Sequence, residues 1–281
     1  MALFRRVTIV GLGLIGGSVG MAIRRAKLAH EVVGLSRSAS VIRQARRLGA
    51  IDRGTLEAAE AVAASDLVIL ATPVDAIVPT AIRLARLMPP AAILTDVGST
   101  KAQIVRRLDT ALAGRVRFVG SHPLAGSECR GIEAAQAGLL AHAACIVTPT
   151  SRTDRHALAQ VTRLWNRLGM RVVSMDPARH DAVLGAVSHV PHLLAFALTA
   201  STSRRALAVA PRSFLDATRV AQSDPDLWDD ILLSNRAAVR ASLRRVVHAL
   251  GRYDHALRRN DRHTLIRLLR HAQSIRRRLS D

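Results

Sequence analysis

The stretch "VTIVGLGLIGGSVGMAIRRA" constrains this chain more than any other: an apolar run from Val7 to Val10 enters a glycine cluster and leaves it with helical spacing. Gly11, Gly13 and Gly16 form G-x-G-x-x-G at the junction of an expected strand and an expected helix. The first glycine permits the turn, the second lets a pyrophosphate approach the backbone, and the third allows close packing of helix on strand. A helix N-terminus facing that turn favours anions. The junction reads as a dinucleotide site formed by Gly11, Gly13, Leu14, Ile15 and Gly16, and it commits the first half of the chain to an α/β fold.

The rest of that half agrees. "HEVVGLSRS", "SDLVILATPVDAI", "AAILTDVGSTKAQI" and "VRFVGSHPLAG" each supply an apolar strand that runs into a polar or small-residue turn, with helical segments such as "SVIRQARRLGA" between them. "ACIVTPT" and "MRVVSMD" complete the layer. Such alternation predicts a parallel, doubly wound, Rossmann-type sheet.

From Pro177 onward no strand is expected. One stretch of helical spacing holds Val183, Leu184, Val187, Leu193, Leu194 and Leu198. A second starts at Ser223-Asp224-Pro225 and holds Leu227, Ile231, Leu243, Val246 and Leu250; a third holds Leu257, Leu265, Leu268, Leu269 and Ile275. The chain therefore divides into a dinucleotide-binding domain over 1–176 and an all-helical substrate and dimerisation domain over 177–281. Helices this apolar in so small a domain predict a homodimer.

Composition narrows the class. Aromatic residues are only 2%, so the core must be built mostly from Ala, Val, Leu and Ile. Cys129 and Cys145 are the only cysteines, too few for a disulfide framework or a four-cysteine metal site. With no signal-peptide pattern in "MALFRRVTIVGLG", the expectation is a cytoplasmic protein. No uninterrupted apolar run approaches the ~20 residues that span a bilayer, so no membrane is expected. The net charge of +20 raises nucleic acid as a partner. Yet the arginines are spread in pairs such as Arg24-Arg25, Arg46-Arg47, Arg106-Arg107 and Arg258-Arg259, which reads as a solvated basic surface attracting anionic metabolites.

Cofactor type turns on the end of the second strand, where an NAD enzyme usually offers a carboxylate to the ribose hydroxyls. Here stand Ser36, Arg37 and Ser38, with no carboxylate until Asp52. A guanidinium between hydroxyls suits a 2′-phosphate, so NADP is expected ahead of NAD. Ligands in such sheets sit outside the carboxyl ends of the strands, and three further strand ends carry useful groups. These are Thr72-Pro73, assigned to the cofactor, Asp96 to Lys101, and Ser121-His122.

The order of "VGLGLIGGS", "ATPV", "TDVGSTK", "GSHPLAGSE", "AVSHVPHLLAFAL" and "DATRVAQSDPDLWDDILLSN" resembles the prephenate/arogenate dehydrogenase family over nearly the whole chain. The resemblance implies oxidative decarboxylation of prephenate or arogenate, with hydride transfer to NAD(P), in tyrosine biosynthesis. It makes His122 the acceptor of the ring hydroxyl's proton, a task suited to an imidazole of ordinary pKa near ~6.5. Ser99 would bond the same hydroxyl or His122. His189 and His192 would bind substrate and position their helix, Arg219 would grip a substrate carboxylate, and Trp228 would stand near the site. Ser127 and Glu128, behind the His-Pro motif, complete the expected substrate contacts, Glu128 facing the ammonium of arogenate.

Periodicity adds to this. Ser188 and His192 fall near one helix azimuth with His189 flanking them, and Pro191 frees the carbonyl of Val187, predicting a kinked, ligand-facing wall. Two histidines also raise zinc, but without a further ligand motif no metal is expected. Ser36-Arg37 departs from relatives with an acid there. No mutase or regulatory domain of the kind fused to some relatives is expected, so any tyrosine control is expected at the active site. A β-hydroxyacid dehydrogenase of the same plan would need a lysine on the helical domain, and none follows Lys101. The rival from another class is a non-catalytic NADP-sensing or nucleic-acid-binding protein on the same fold, which salt-sensitive DNA binding without turnover would favour.

Overall fold

A computed structural model describes residues 2–126 and 129–279. One sheet holds β1 (Phe4–Val10), β2 (Ala29–Leu35), β3 (Arg53–Thr55), β4 (Leu67–Leu70), β5 (Ile93–Asp96), β6 (Arg117–Pro123), β7 (Ala144–Thr148) and β8 (Arg171–Ser174). Between the strands run α1 (Leu14–Arg25), α2 (Ala39–Arg47), α3 (Ala58–Val62), α4 (Val74–Ala85), α5 (Ala102–Ala111) and α6 (Arg155–Arg167). The strand order is β3-β2-β1-β4-β5-β6-β7-β8, and its first six follow the winding of dinucleotide-binding sheets. The winding reverses between β1 and β4. That reversal opens a crevice at their carboxyl ends, where the glycine turn and Thr72 both lie.

Two details differ from the sequence reading. β7 runs antiparallel to β6, pairing His122 with Ile146 and Pro123 with Cys145, where a parallel strand was expected. The segment 124–143 holds only the short 3-10 turn Ile132–Ala134 among its described residues, not the crossover helix that a parallel return needs. α6 then restores a parallel β8. The three residues of β3, Arg-Gly-Thr, are too few for any alternation to show.

The core is aliphatic, as so few aromatics require: Phe4, Phe118, Trp165 and Trp228 are its aromatic members among a majority of Val, Leu, Ile and Ala. It forms two apolar clusters, one around Ile9, Ile23, Leu28 and Trp165, the other around Leu70, Ile77, Leu84 and Leu108. Trp228 and Ile231 of the helical half belong to the second. The two halves of the chain thus share packed surface.

The helical half comprises α7 (Pro177–Leu184), α8 (Val190–Ser201), α9 (Arg204–Leu207), α10 (Arg212–Thr218), α11 (Pro225–Ser234), α12 (Arg236–Arg258) and α13 (Arg262–Arg277). Caps set its starts. Asp176 accepts from the Arg179 N–H at 2.9 Å ahead of α7, and Asp224 from the Asp226 N–H at 3.0 Å ahead of α11. The continuous run expected from Ser223 to Leu250 is broken at Asn235, whose side chain turns inward.

Between α7 and α8 lies a π-helical turn, Gly185–His189, in which the Val190 N–H reaches back to the Gly185 carbonyl. The irregularity expected from Pro191 is therefore a widened turn just before the proline, a form common at functional sites. The segment Pro177–Ser201 is 25 residues of helix that contain an 18-residue stretch of mean hydropathy 1.5, long and apolar enough to cross a membrane by those measures alone. It is not an uninterrupted apolar run, since Arg179, His180, Asp181, His189 and His192 fall within it. Its His180, Asp181 and His189 are buried and hydrogen-bonded within the protein.

Candidate active site

The glycine turn has the geometry each position requires. Gly11 sits at φ +94, in the left-handed region, and a side chain there would come within 2.5 Å of the Ala71 carbonyl oxygen. At Gly16 a Cβ would stand 1.9 Å from the Gly11 carbonyl oxygen, so only glycine allows α1 to pack this close. A Cβ at Gly13 would meet nothing within 4 Å, so there is open space beside the backbone ahead of Leu14 and Ile15, the first residues of α1. Thr72 adds a buried hydroxyl that finds no partner among the described residues. Open space before a helix N-terminus, with an unsatisfied hydroxyl beside it, fits a dinucleotide.

The end of β2 lies against this turn, since the Gly11 N–H donates to the Leu35 carbonyl at 3.0 Å. Beyond it Ser36 accepts from the Ser38 N–H at 3.2 Å, Ser38 caps α2, and Arg37 is exposed between them. Asp52 is occupied elsewhere, accepting from the Val32 N–H at 2.7 Å and pairing with Arg24. Pro73, exposed, opens α4 directly after Thr72.

A second cluster forms where β5 and β6 end. Asp96 forms an ion pair with Lys101, accepts from the Gly98 N–H at 2.9 Å and, through its other oxygen, from the Ser121 N–H at 3.3 Å. These bonds hold the loop that carries half-buried Ser99. His122 lies within β6 itself, not beyond it, and is buried by the antiparallel β7. The partner of its Nδ1 is His180 Nε2, at 2.9 Å. His180 Nδ1 lies 2.8 Å from Asp181 Oδ1, and the Asp181 carboxylate accepts from the N–H groups of Lys101 (2.7 Å) and Ala102 (2.9 Å) at the start of α5.

The network continues into the helical half. The Asn235 amide donates to the Asp181 carbonyl at 2.7 Å and lies 3.1 Å from His189 Nδ1. His189 meets Trp228 edge-on, with ring centroids 6.0 Å apart, while His192 stacks on the same indole at 3.7 Å. His192 Nδ1 donates to the Ser188 carbonyl at 3.0 Å, as an N–H must toward a carbonyl. Arg219, on the turn after α10, is close enough to depress the His192 pKa.

Burial keeps these imidazoles neutral. His122 is pushed well below the usual histidine value, first by burial and then by His180, Lys101 and His189. Burial also lowers His180, overriding the opposing pull of Asp181, and takes His189 down to about 4. For His192 burial and Arg219 outweigh the bond to Ser188. Burial acts to raise the Asp181 carboxyl, but His180 and the two α5 N–H groups prevail and hold it below the ordinary carboxylate value.

The structure thus gathers His122, the Ser99 loop, His189, His192, Trp228 and Arg219 along one connected path, and lines the cofactor positions along the glycine turn. Ser127 and Glu128 lie outside the described residues. No group of three or more His, Cys, Asp or Glu able to hold a metal occurs among the described residues. Sequence reasoning missed His180, Asp181, Asn235 and the pairing of Asp96 with Lys101. A histidine and an aspartate side by side in an otherwise apolar helical run were the available signal.

A sheet wound about a glycine turn and closed by a helical half is the plan of the two-domain NAD(P)-dependent dehydrogenases, and this chain is one of them. Family models sharpen that statement: the prephenate dehydrogenase nucleotide-binding domain matches residues 19–174 and the prephenate dehydrogenase dimerization domain matches 176–271. The chain belongs to the prephenate dehydrogenase family. A cyclohexadienyl dehydrogenase of Zymomonas mobilis is 34% identical over 98% of this chain and 96% of its own. The prephenate dehydrogenase of A. aeolicus, solved with hydroxyphenyl propionate and NAD+, superposes with a TM-score of 0.91 at 33% identity, covering 99% of this chain and 98% of that one. Synechocystis arogenate dehydrogenase gives 0.84 at 29% identity, covering 98% and 99%.

Proposed function

We propose that this dehydrogenase oxidatively decarboxylates prephenate, arogenate or both, prefers NADP, and works as a cytoplasmic homodimer whose nucleotide-binding unit spans 1–176 and whose substrate and dimerisation unit spans 177–281. The observation that carries the reading is the connected path from His122 to His189, Trp228 and His192, which joins a neutral base at a strand end to a wall of the helical half.

A bound nicotinamide would supply the acceptor for the hydride that leaves C4 of the cyclohexadienol. His122 takes the hydroxyl proton, and its lowered pKa keeps it in the accepting form across neutral pH. Loss of CO2 aromatises the ring, so a weak base suffices. Ser99 orients the hydroxyl from the neighbouring loop. Arg219 binds a substrate carboxylate, a grip to which a guanidinium fork is suited, and His192 on Trp228 supplies a flat surface for the ring.

Arg37, exposed between Ser36 and Ser38 beside the glycine turn, supports NADP, as does the engagement of Asp52 with Arg24 and Val32. Exposed apolar residues on α12 and α13, among them Val247, Leu250, Leu257 and Leu269, support a second copy. A buried thiol at Cys145, unpaired, is in keeping with a reducing compartment. The test is to supply purified protein with prephenate or arogenate, each with NAD and NADP, and follow reduced-cofactor absorbance. Reduction with either substrate, faster at low NADP than at low NAD, is expected; none with any pair refutes the reading.

A further inference from the structure

The proton positions in the buried imidazole chain follow from its end at Asp181. That carboxylate is ionised, with two backbone N–H groups on it, and can only accept. His180 Nδ1, 2.8 Å away, therefore carries a hydrogen. A neutral imidazole has one N–H, so His180 Nε2 bears a lone pair and can only accept as well. Its neighbour at 2.9 Å is His122 Nδ1, which must donate. In the neutral His122 ring this leaves Nε2 without a hydrogen.

We infer that His180 and Asp181 are positioning residues that lock His122 in its Nδ1–H tautomer, so that Nε2 is the atom that receives the substrate's hydroxyl proton. This rests on the functional reading above. The balance is simple: the substrate O–H breaks, its proton binds Nε2, and the C–H electron pair leaves as hydride to the bound nicotinamide. His122 Nδ1–H keeps its bond to His180 throughout, so the imidazolium forms without reorganisation. Asp181, one ring further on, offsets the new charge.

The lock also spans both halves of the chain. Asp181 sits on α7 of the helical half and bonds the first N–H groups of α5 in the sheet half, while Asn235 of α12 holds its carbonyl. Only when the halves are docked does His180 reach His122.

Side-chain 1H–15N NMR of the full-length protein at neutral pH, with His122 assigned by the loss of its signals in His122→Asn, reads the tautomer directly. Expected is a protonated Nδ1 and an unprotonated Nε2 on His122. His180→Phe keeps a ring but removes the acceptor: the tautomer should become mixed and kcat should fall on the order of 10²-fold, with KM changing far less. His180→Gln, whose amide oxygen can accept the same N–H, should recover most of the lost turnover. A wild-type His122 protonated on Nε2 overturns the inference. So does a His180→Phe enzyme with wild-type kcat and tautomer, or a His180→Gln enzyme no better than His180→Phe. Should the phenylalanine variant not fold, the wild-type spectrum and the glutamine variant decide. If the wild type turns over neither substrate, the functional reading fails and the proton-accepting role of Nε2 fails with it, while the spectrum still decides the lock that His180 and Asp181 place on the His122 tautomer.

Discussion

Asp96 and Lys101, both wholly removed from solvent, form an ion pair that ties the end of β5 to the start of α5, next to the strand that carries His122. Two burdens rest on it: it holds the loop bearing Ser99, and its ammonium helps depress the His122 pKa. Lys101→Met should leave an uncompensated buried carboxylate and destabilise the protein by about 3–5 kcal/mol in denaturant unfolding. The same change should move the acid limb of kcat/KM to higher pH. A variant as stable as wild type, with an unmoved limb, would show that the pair does neither.

His122→Asn should cut turnover by ~10²–10⁴-fold, the range for a positioned general base, with substrate affinity changing far less. In the wild type kcat/KM should fall at low pH with a midpoint below the ordinary histidine value, because burial disfavours the imidazolium. The variant should lack that limb. Arg219→Ala should show the opposite split, raising KM with little change in kcat, since a carboxylate grip acts in ground and transition state alike. Substantial turnover with an intact limb in His122→Asn would move the base elsewhere.

If Arg37 meets the 2′-phosphate, Arg37→Ala should weaken NADP binding by about 2–3 kcal/mol, one charge-assisted contact, and leave NAD nearly unchanged. Isothermal titration with each cofactor reads this. Equal losses for both would mean that the guanidinium touches neither phosphate.

Dimerisation should reside in α12 and α13. Val247, Leu250, Leu257 and Leu269 are each more than half exposed in the single chain, an apolar surface of the kind that soluble proteins cover. Leu250→Glu should shift light scattering toward the monomer at micromolar concentration. A wild type that is monomeric and fully active at every concentration tested would contradict the assignment.

Much of this was legible in the sequence for a physical reason: the features concerned are local. The strand, glycine turn and helix from Phe4 to Arg25 occupy one short segment, and so does the helix start at Asp224-Pro225. The direction of β7 was not legible, because it depends on whether the path from Leu124 to Ala143 contains a crossover helix, and weak periodicity there does not say. The site splits the same way. His122 was visible from its strand-end motif, whereas its partner His180 lies 58 residues on and becomes a partner only when α7 docks against α5. Asn235 looked like one polar residue within a long helix; its role depends on the break that turns it toward both Asp181 and His189.

The same burial that keeps the histidines neutral should make the fold sensitive to acid. His189 is held to about 4 in the folded protein, chiefly by burial, against an ordinary 6.5 in the unfolded chain. Below pH 6.5 the unfolded chain therefore binds a proton that the folded one refuses, and stability must fall as pH falls. The contribution is fully present above the unfolded value and is lost progressively between 6.5 and about 4. At pH 5 the loss from this residue should be about 2 kcal/mol. His122 and His180, lowered for the same reason, act in the same direction. His189→Gln removes the titrating group but keeps a side chain able to bond Asn235. Between pH 7.5 and pH 5, urea unfolding should show the wild type losing about 2 kcal/mol more than this variant. Parallel pH profiles for the two would mean that His189 is not held neutral by the fold, and the burial argument for the imidazole cluster would fail with it.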